Sequence, residues 1–390
     1  MPRPSYLRSA TRLAALRLIA AATRIPAARP AGEIRRLLVL RPDHLGDLLF
    51  TTPALRRLRA ALPKAELVAL VGPWGAPVLA RNPAVTSLVT WDVPWFNRRA
   101  RRHPAEPYLS AIRLARILEE RRFDAALDLR FDFWWGALVA QLAGVRRRVG
   151  YAVPEVAPFL TESVPYVGCR HEVERNLALA DALVGRELVA GEEDHLEFPV
   201  RPEEADEAEA LLAGEGVRAG EPILAVHPGA GSALKLWTPE GFAAVADALA
   251  NRLSARVVLT GSAAERDLAA TVAERTRLRP ISLAGRTSLG ALAAIFRRAR
   301  LVVGTDSGPL HLAVAVGAPT VHLFGPVDHR TFGPWGDPAR HAVVRVELPC
   351  APCNRLDACS LPGGGRPCML DISPDRVIAA AERVLAATEA

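Results

Sequence analysis

No uninterrupted apolar run in this 390-residue chain approaches the ~20 residues that a membrane-spanning helix requires. We therefore do not expect a transmembrane protein. A secretory signal is also not expected, because Arg12 and Arg17 interrupt the apolar residues of the N-terminal segment and no clean cleavage site follows. Half of the residues are apolar and 23% are charged, which is ordinary for a soluble globular protein.

The chain also lacks two well-known phosphate-binding fingerprints. Its glycine-rich turns match neither the Walker loop nor the G-x-G-x-x-G pattern, because their glycines are wrongly spaced. Neither half shows the dinucleotide fingerprint after its first apolar strand. A dinucleotide oxidoreductase is therefore the least favoured class of enzyme.

The net charge of +7 is concentrated at one end of the chain. Residues 1–36 contain eight arginines and a single acidic residue, Glu33, so this segment accounts for the whole excess and no nucleic-acid partner is expected. Leucines interleave with the arginines. This basic arm is either an amphipathic helix on an anionic membrane or a solvated extension. The second basic cluster, Arg98–Arg102, is either a contact for an anionic acceptor or membrane, or a solvated loop.

The rest of the sequence alternates short apolar segments with longer helical patterns. This alternation predicts an α/β protein with two doubly wound parallel sheets, as the length of the chain also suggests. One helix is predicted over 47–60, and the acidic stretch 203–209 is interpreted as the junction. The predicted strands are 37–40, 67–71, 88–91, 125–129, 223–226, 255–259, 301–303 and 320–324. The predicted parts are the basic arm (1–36), a first domain (37–200), a second domain (201–372) and a C-terminal helix (373–390) that packs back on the first domain.

Asp47 is the candidate catalytic base. It follows the first predicted strand and a short turn, and lies at the start of a helix near the strand's carboxyl end. A carboxylate there can accept a proton from an incoming hydroxyl, which is typically worth ~10²–10⁴ in rate. Taken alone, Asp47 is more simply explained as a helix-start aspartate. Gly46 allows close approach of another molecule and shifts the interpretation towards catalysis.

A glycine-rich turn in the second half predicts an anion site. It contains Gly229, Gly231 and Ser232, follows a predicted strand and shortly precedes Lys235. Glycines let backbone N–H groups approach phosphate oxygens, and a lysine supplies a mobile positive charge for the same anion.

A second turn, Thr305–His311, strengthens this prediction. Its Thr, Asp and Ser caps and Pro309 build an exposed helix N-terminus, which attracts a diphosphate, while Asp306 is placed to hold sugar hydroxyls. The alternatives are an N-cap role for Asp306 and a packing role for His311.

These residues together resemble glycosyltransferase family 9, the ADP-heptose:lipopolysaccharide heptosyltransferases and their relatives. The resemblance runs from about Leu37 to the C-terminal helix. Its most specific part is the block Asp306–His311 together with Phe324–Pro326. The motifs that carry it are Gly46-Asp47, Lys235, Asp306–His311, Gly317–Thr320 and Phe324–Pro326, with His171–Asn176 as a further likeness.

The resemblance implies a GT-B architecture, two Rossmann-like domains with an interdomain active site, and inverting transfer. It makes Asp47 the base, Lys235 the diphosphate-binding lysine and Asp306 the contact to the donor sugar. It also assigns the helix end at Gly308 and His311 to the diphosphate, and more loosely Glu265 to the ribose. The full predicted substrate-binding set is Gly46, Gly229, Gly231, Ser232, Lys235, Glu265, Thr305, Asp306, Ser307, Gly308 and His311.

The implied partners are an ADP-sugar donor and a glycolipid or glycan acceptor, with no cofactor required for catalysis. Metal-dependent transferases commonly use a D-x-D motif, and no two aspartates here stand two apart. The implied location is the cytoplasm, at the inner face of the plasma membrane if the basic arm binds lipid.

Four of the five cysteines lie in one Pro/Gly-rich segment, at Cys350, Cys353, Cys359 and Cys368, and Cys169 stands alone. One interpretation of this grouping is a structural thiolate site for Zn²⁺ or, less so, an iron–sulfur cluster. It lacks the paired C-x-x-C motifs of a common zinc ribbon. The alternatives are a loop of reduced cysteines or disulfides made after lysis.

Two other function classes remain open at this point. One is another GT-B enzyme, such as a UDP- or GDP-sugar transferase or a sugar-nucleotide epimerase. The other is a non-catalytic nucleotide-sugar-binding protein, which would keep Lys235 and Asp306 but need no base. The intact Asp47 argues against the second class.

Overall fold

The computed structural model describes residues 6–26, 33–97, 103, 105–168, 170–185 and 194–389. The chain divides into two compact units, residues 2–194 and 195–390, close to the expected boundary at 200/201. The basic cluster Arg98–Arg102 and Cys169 lie outside the described residues.

In the first unit, parallel strands form one six-stranded sheet. The strands are β1 (Arg36–Leu40), β2 (Glu66–Val71), β3 (Ser87–Thr90), β4 (Ala125–Asp128), β5 (Arg147–Tyr151) and β6 (Glu162–Val164). Their spatial order, β3-β2-β1-β4-β5-β6, is doubly wound and reverses between β1 and β4. The sequence analysis missed β5 and β6, because charged residues such as the Arg147–Glu162 ion pair (2.9 Å) interrupt their apolar pattern.

Helices cover both faces of this sheet. They are α1 (Tyr6–Ala22), α2 (Leu45–Leu49), α3 (Thr52–Ala61), α4 (Ala76–Leu79), α5 (Glu106–Glu119), α6 (Trp134–Leu142) and α7 (Glu172–Val184). The single helix predicted over 47–60 was wrong, since α2 and α3 are separate. Pro53 has no N–H to donate to the carbonyl of Leu49, and the Thr52 hydroxyl donates to that carbonyl instead (2.7 Å).

The second unit repeats the same arrangement. Its strands are β7 (Ile223–His227), β8 (Arg256–Leu259), β9 (Ile281–Ser282), β10 (Leu301–Thr305), β11 (Thr320–Phe324) and β12 (His341–Arg345). They pair in parallel in the order β12-β11-β10-β7-β8-β9, which reverses between β7 and β10. The sequence analysis missed the two edge strands, because β9 is only two residues long and β12 is mostly half-buried.

The helices of the second unit include one where a junction was expected. They are α8 (Pro202–Gly214), α9 (Pro239–Leu253), α10 (Arg266–Arg275), α11 (Leu289–Arg298), α12 (Gly308–Ala315), α13 (His329–Phe332), α14 (Pro367–Leu370) and α15 (Pro374–Glu389). The acidic stretch 203–209 is not a linker, because it forms part of α8, which packs against α11. Glu209 pairs with Arg298 (2.8 Å), and Leu212 is fully buried.

The C-terminal helix α15 packs within the second unit. It contacts α9, β11 and β12, and its Val377, Ala380, Val384 and Leu385 belong to the core of that unit. The contacts that place its apolar face lie in the second unit, and packing of the helix on the first domain stays a prediction. These residues recur at helical spacing and bury one stripe of the helix.

The N-terminal helix α1 also belongs to a core rather than to a free arm. Leu16 and Ala20 are buried among the core residues of the first unit. Gln141 on α6 donates to the carbonyl of Ala20 (3.0 Å) and to the Thr23 hydroxyl (2.7 Å). The outward side of α1 still presents Arg17 and Leu18 to solvent, with 72% of Leu18 exposed.

None of the helices in the described ranges combines the length and the hydropathy needed to cross a bilayer.

Candidate functional site

The candidate base lies where the strand order of the first unit reverses. In doubly wound sheets, the carboxyl ends of the two strands at this point form the usual ligand crevice. Asp47 lies in the first turn of α2, which follows β1, and Asp128 ends the neighbouring strand β4. Gly46 lies in the same turn as Asp47 and is half-buried.

Asp47 is held by a buried guanidinium. Its Oδ1 lies 3.3 Å from Nη2 of Arg41, the residue directly after β1. The Arg41 side chain is 1% exposed, whereas the Asp47 side chain is 29% exposed. The contact therefore orients the carboxylate and leaves it accessible to a substrate.

Arg41 joins three carboxylates. Besides Asp47, it pairs through Nε with Asp43 (2.8 Å) and through Nη1 with Glu172 on α7 (2.8 Å). Arg175 pairs with the other oxygen of Glu172 (3.0 Å). Removal of one partner from such a buried network leaves an uncompensated charge, which is strongly destabilising.

Sequence reasoning missed the central role of Arg41. The only sequence feature that could have indicated this role is a charged residue directly after an apolar strand. Glu172 belongs to the segment His171–Asn176 that the family resemblance indicated, but nothing in the sequence placed it against Arg41.

A second arginine borders the same edge of the sheet. Arg130 pairs with Asp43 and with Asp132, and its guanidinium carbon lies 5.5 Å from the ring centroids of both Phe96 and Phe131. Arg130 thus lies beside two aromatic rings and next to Asp43, in the turn that leads to Asp47.

Asp128 is buried at the end of β4. Its Oδ1 accepts the backbone N–H of Arg130 (3.1 Å), and among the described residues its Oδ2 has no hydrogen-bond partner. Burial raises the pKa of Asp128 to about 7, although Arg130 and Arg41 oppose the shift. The carboxyl is therefore partly protonated near neutral pH.

In the second unit, the predicted glycine-rich turn, which follows β7, contacts the end of the neighbouring strand β10. The Thr305 hydroxyl at the end of β10 donates to the carbonyl of Gly229 (2.7 Å). Glu265 lies against the same turn, since a Cβ on Gly229 would lie only 1.9 Å from its Oε1. Its other oxygen accepts the N–H of Ser262 (2.7 Å). Glu265 thus packs directly on the backbone of Gly229, whereas Gly231 is exposed.

Lys235 and Asp306 form a close ion pair. Lys235 Nζ lies 3.1 Å from Asp306 Oδ2, and the two side chains are 14% and 7% exposed. His311 Nε2 lies 3.7 Å from the other Asp306 oxygen. Burial alone would raise the pKa of Asp306, but Lys235 and His311 outweigh it and hold the pKa below its ordinary value. An ionised Asp306 therefore neutralises Lys235.

The start of α12 differs from the expected set of caps. Thr305 bonds to Gly229 and Asp306 pairs with Lys235, so neither side chain caps the helix. Ser307 is the N-cap residue, and within the described residues its buried hydroxyl has no hydrogen-bond partner. Gly308 begins the helix.

A buried histidine chain behind this helix was not predicted. The ring of His311 lies 5.6 Å from that of His322 on β11. His322 Nε2 contacts the Thr320 hydroxyl (2.9 Å), which also contacts His341 Nδ1 (2.9 Å). Burial lowers the pKa of His322 well below its usual value and that of His341 to about 4. These two rings are therefore neutral near neutral pH.

Ser232 is committed to the protein itself. Its hydroxyl donates to the carbonyl of Leu356 (2.8 Å) and accepts the N–H of Leu234 (3.2 Å). It was predicted to bind substrate, but in this structure it caps the turn that carries Lys235.

The structure does not support the zinc site considered for the cysteine-rich segment. In the part of the chain that the structure describes, no group of three or more His, Cys, Asp or Glu side chains is arranged to hold a metal. The four thiols are free: Cys368 is buried, Cys353 is exposed, and Cys350 and Cys359 are intermediate. Burial, helped by the neighbouring thiols, raises the pKa of Cys368. Cys368 also packs into the core of the second unit.

Comparison with known proteins identifies the family. A family model described as glycosyltransferase family 9 (heptosyltransferase) matches residues 111–361. The chain is 30% identical over 300 residues to lipopolysaccharide heptosyltransferase 3 of Escherichia coli, covering 75% of this chain and 84% of that protein. The resemblance read from the sequence is therefore confirmed.

Solved structures share the fold. A glycosyltransferase family 9 protein from Veillonella parvula DSM 2008 superposes with a TM-score of 0.77 at 23% identity, covering 92% of this chain and 99% of that one. The E. coli ADP-heptose lps heptosyltransferase II gives 0.70 at 23% identity, covering 91% and 100%. The predicted fold class, two doubly wound α/β units of the GT-B type, is confirmed.

The raised pKa of Asp128 predicts a pH-dependent stability. In the unfolded chain this carboxyl ionises above its ordinary pKa of 3.8, but in the folded protein it ionises only near pH 7. Its contribution to the free energy of unfolding is thus favourable at low pH and is lost as the pH rises towards 7. The Asp128→Asn side chain cannot ionise. The free energy of unfolding of this variant, relative to that of the wild type, should therefore rise by about 2 kcal/mol from pH 5 to pH 8.

Denaturant unfolding at the two pH values measures this difference. Asp371→Asn, at an exposed aspartate, is the matched control and should follow the wild type. Parallel pH dependence of Asp128→Asn and the wild type would show that Asp128 titrates normally.

Proposed function

This chain belongs to glycosyltransferase family 9, and we propose that it moves a heptose-like sugar from an ADP-sugar donor to a lipopolysaccharide core or another cell-envelope glycan. The Lys235–Asp306 ion pair carries the proposal, because it combines a cation for a diphosphate with a carboxylate for sugar hydroxyls. The name of the E. coli relative, a lipopolysaccharide heptosyltransferase, supports the sugar and the acceptor. The name of the E. coli heptosyltransferase II supports ADP-heptose as donor.

We infer an inverting, single-displacement reaction. Asp47 takes the proton of the acceptor hydroxyl, the acceptor oxygen forms a bond to the anomeric carbon, and the bond from that carbon to the diphosphate oxygen breaks. ADP leaves with the electron pair of that bond. The partial exposure of Asp47 and its fixed contact with Arg41 support the role of base.

The leaving group is stabilised by exchange of ion-pair partners. In the absence of donor, Lys235 is neutralised by Asp306. When the donor binds, its diphosphate competes for Lys235, and Asp306 becomes available to the sugar hydroxyls. The N-terminus of α12 adds positive potential beside the same carboxylate. This arrangement supplies the charge that a catalytic metal would supply, so we propose metal-independent transfer.

We also propose that the protein works at the inner face of the plasma membrane. Helix α1 contains arginines and no acidic residue. Its buried residues Leu16 and Ala20 attach it to the first unit, and its solvent side carries Arg17 and the exposed Leu18. This combination suits the surface of an anionic bilayer.

Asp47→Asn tests the catalytic assignment. The amide keeps the shape of the side chain but cannot accept the proton, so kcat should fall by about 10²–10⁴. The Kd of Asp47→Asn for ADP should stay near the wild-type value. In a separate test of inversion, NMR of the wild-type product should show the anomeric configuration opposite to that of the donor. Glu119→Gln, at an exposed carboxylate on α5, is the control. Near-normal turnover by Asp47→Asn would remove this residue from the mechanism.

Metal independence is tested by chelation. Transfer measured with purified protein in EDTA should keep its rate, because Lys235 and the start of α12 supply the charge for the departing diphosphate. Added Mg²⁺ should give no increase. Loss of activity in EDTA that Mg²⁺ restores would contradict the metal-independent mechanism.

The membrane proposal predicts a charge-dependent interaction. The double substitution Arg17→Glu/Leu18→Ser should weaken cosedimentation with phosphatidylglycerol vesicles by about tenfold, since each basic residue near an anionic surface contributes ~1 kcal/mol. Wild-type binding should weaken in high salt and be low with phosphatidylcholine vesicles. Arg383→Glu, at an exposed arginine on α15, should bind as the wild type does. If the double variant binds phosphatidylglycerol vesicles as well as the wild type does, α1 has only a packing role.

A further inference from the structure

The cysteine-rich segment, residues 350–368, contacts the turn that carries Lys235 at both ends of that turn. At the start of the turn, the Ser232 hydroxyl donates to the carbonyl of Leu356 (2.8 Å). Around the turn, Nη1 of Arg366 donates to the carbonyl of Ala233 and to that of Leu236 (2.9 Å). The two carbonyls flank Lys235 in the sequence.

The turn has little internal support of its own. It is a three-residue 3₁₀ helix, Ala233–Lys235, closed by the bond from Lys235 N–H to Ser232 O (3.0 Å) and a longer one from Leu236 N–H to Ala233 O (3.3 Å). Such short pieces have poor hydrogen-bond geometry and need outside contacts to persist. The Arg366 guanidinium supplies such contacts.

Arg366 itself stands on a fixed base. The next residues, Pro367–Leu370, form α14, in which Cys368 and Met369 are buried in the core of the second unit. Farther back in the segment, the N–H of Asn354 donates to the carbonyl of Pro326 (2.7 Å), and its Oδ1 accepts the N–H of Asp328 (3.0 Å). The segment therefore connects the strand end after β11 to the Lys235 turn.

We propose that Arg366 is a positioning residue that fixes the backbone from which Lys235 reaches the diphosphate. The side chain of Lys235 is flexible, and its ammonium contacts Asp306 in this structure. The position of the Lys235 Cα atom therefore determines whether the ammonium can also reach the diphosphate of a bound donor. Arg366 acts through that backbone and does not itself contact the substrate. This inference rests on the proposed function, in which Lys235 binds the diphosphate.

Nucleotide binding by calorimetry tests the proposal. Arg366→Ala should raise the Kd for ADP about fivefold, the range expected for the loss of one or two hydrogen bonds, and should leave the Kd for AMP nearly unchanged. Arg366→Lys keeps a donor near the two carbonyls and should recover most of the ADP affinity. In a Lys235→Ala background, Arg366→Ala should change the Kd for ADP by less than about twofold, because the two residues act as one unit.

The matched control is Arg355→Ala, at an arginine of the same segment whose recorded ion pair is with Asp357 (4.0 Å). It should bind ADP as the wild type does. An equal loss of ADP and AMP affinity in Arg366→Ala, or the full fivefold loss in the Lys235→Ala background, would overturn the proposal. If Arg366→Ala does not fold, Arg366→Met, which keeps the stem of the side chain but has no donor, carries the test. A loss of affinity confined to ADP supports the proposal, and unchanged affinity or equal losses for the two nucleotides overturn it.

The same experiment separates this inference from the proposed function. If Lys235→Ala itself leaves the Kd for ADP unchanged, the assignment of Lys235 to the diphosphate is wrong, and the positioning role is overturned with it. If Lys235→Ala weakens ADP binding and Arg366→Ala does not, only the positioning role is wrong.

Discussion

The buried guanidinium of Arg41 is the constraint on which the first unit's carboxyl edge depends. Its partners come from the turn after β1, from α2 and from α7, namely Asp43, Asp47 and Glu172. A buried charge without partners costs several kcal/mol, so these three segments must assemble together. The orientation of the Asp47 carboxylate thus depends on the packing of α7, because both contact Arg41.

The ion pair of the second unit has a different character. Arg41 is inaccessible and forms ion pairs with three carboxylates, so a ligand cannot readily exchange for its partners. Lys235 is a point charge on a flexible stem, is 14% exposed and contacts Asp306 through one oxygen. A diphosphate can compete for such a lysine without dismantling the core. Under the proposed function, the first unit therefore uses a fixed ion pair to orient a base, and the second uses an exchangeable one to receive an anion.

The sequence predicted the central strands and the residues after them because buried parallel strands are apolar runs, and ligand residues follow their carboxyl ends. It did not predict contacts between distant segments, such as Arg41 with Glu172 or Arg366 with Leu236. Local pattern also misassigned α1, since only tertiary packing shows that Leu16 lies in a core. Cysteine spacing suggested a metal, whereas Cys368 beside Met369 fills space in the core of the second unit.

In the glycine-rich turn, residues of types common in binding sites also have partners within the protein. The Glu265 carboxylate packs on the backbone of Gly229, and the Ser232 hydroxyl caps the turn and donates to the carbonyl of Leu356. Both residues give the turn a composition typical of phosphate-binding loops, and both also make contacts within the protein. The side chain of this turn that remains exchangeable is Lys235, because a single oxygen of Asp306 neutralises it. Under the proposed function, the small residues therefore shape the backbone of the turn, and its affinity for an anion depends on the Lys235 ammonium and on the backbone that positions it.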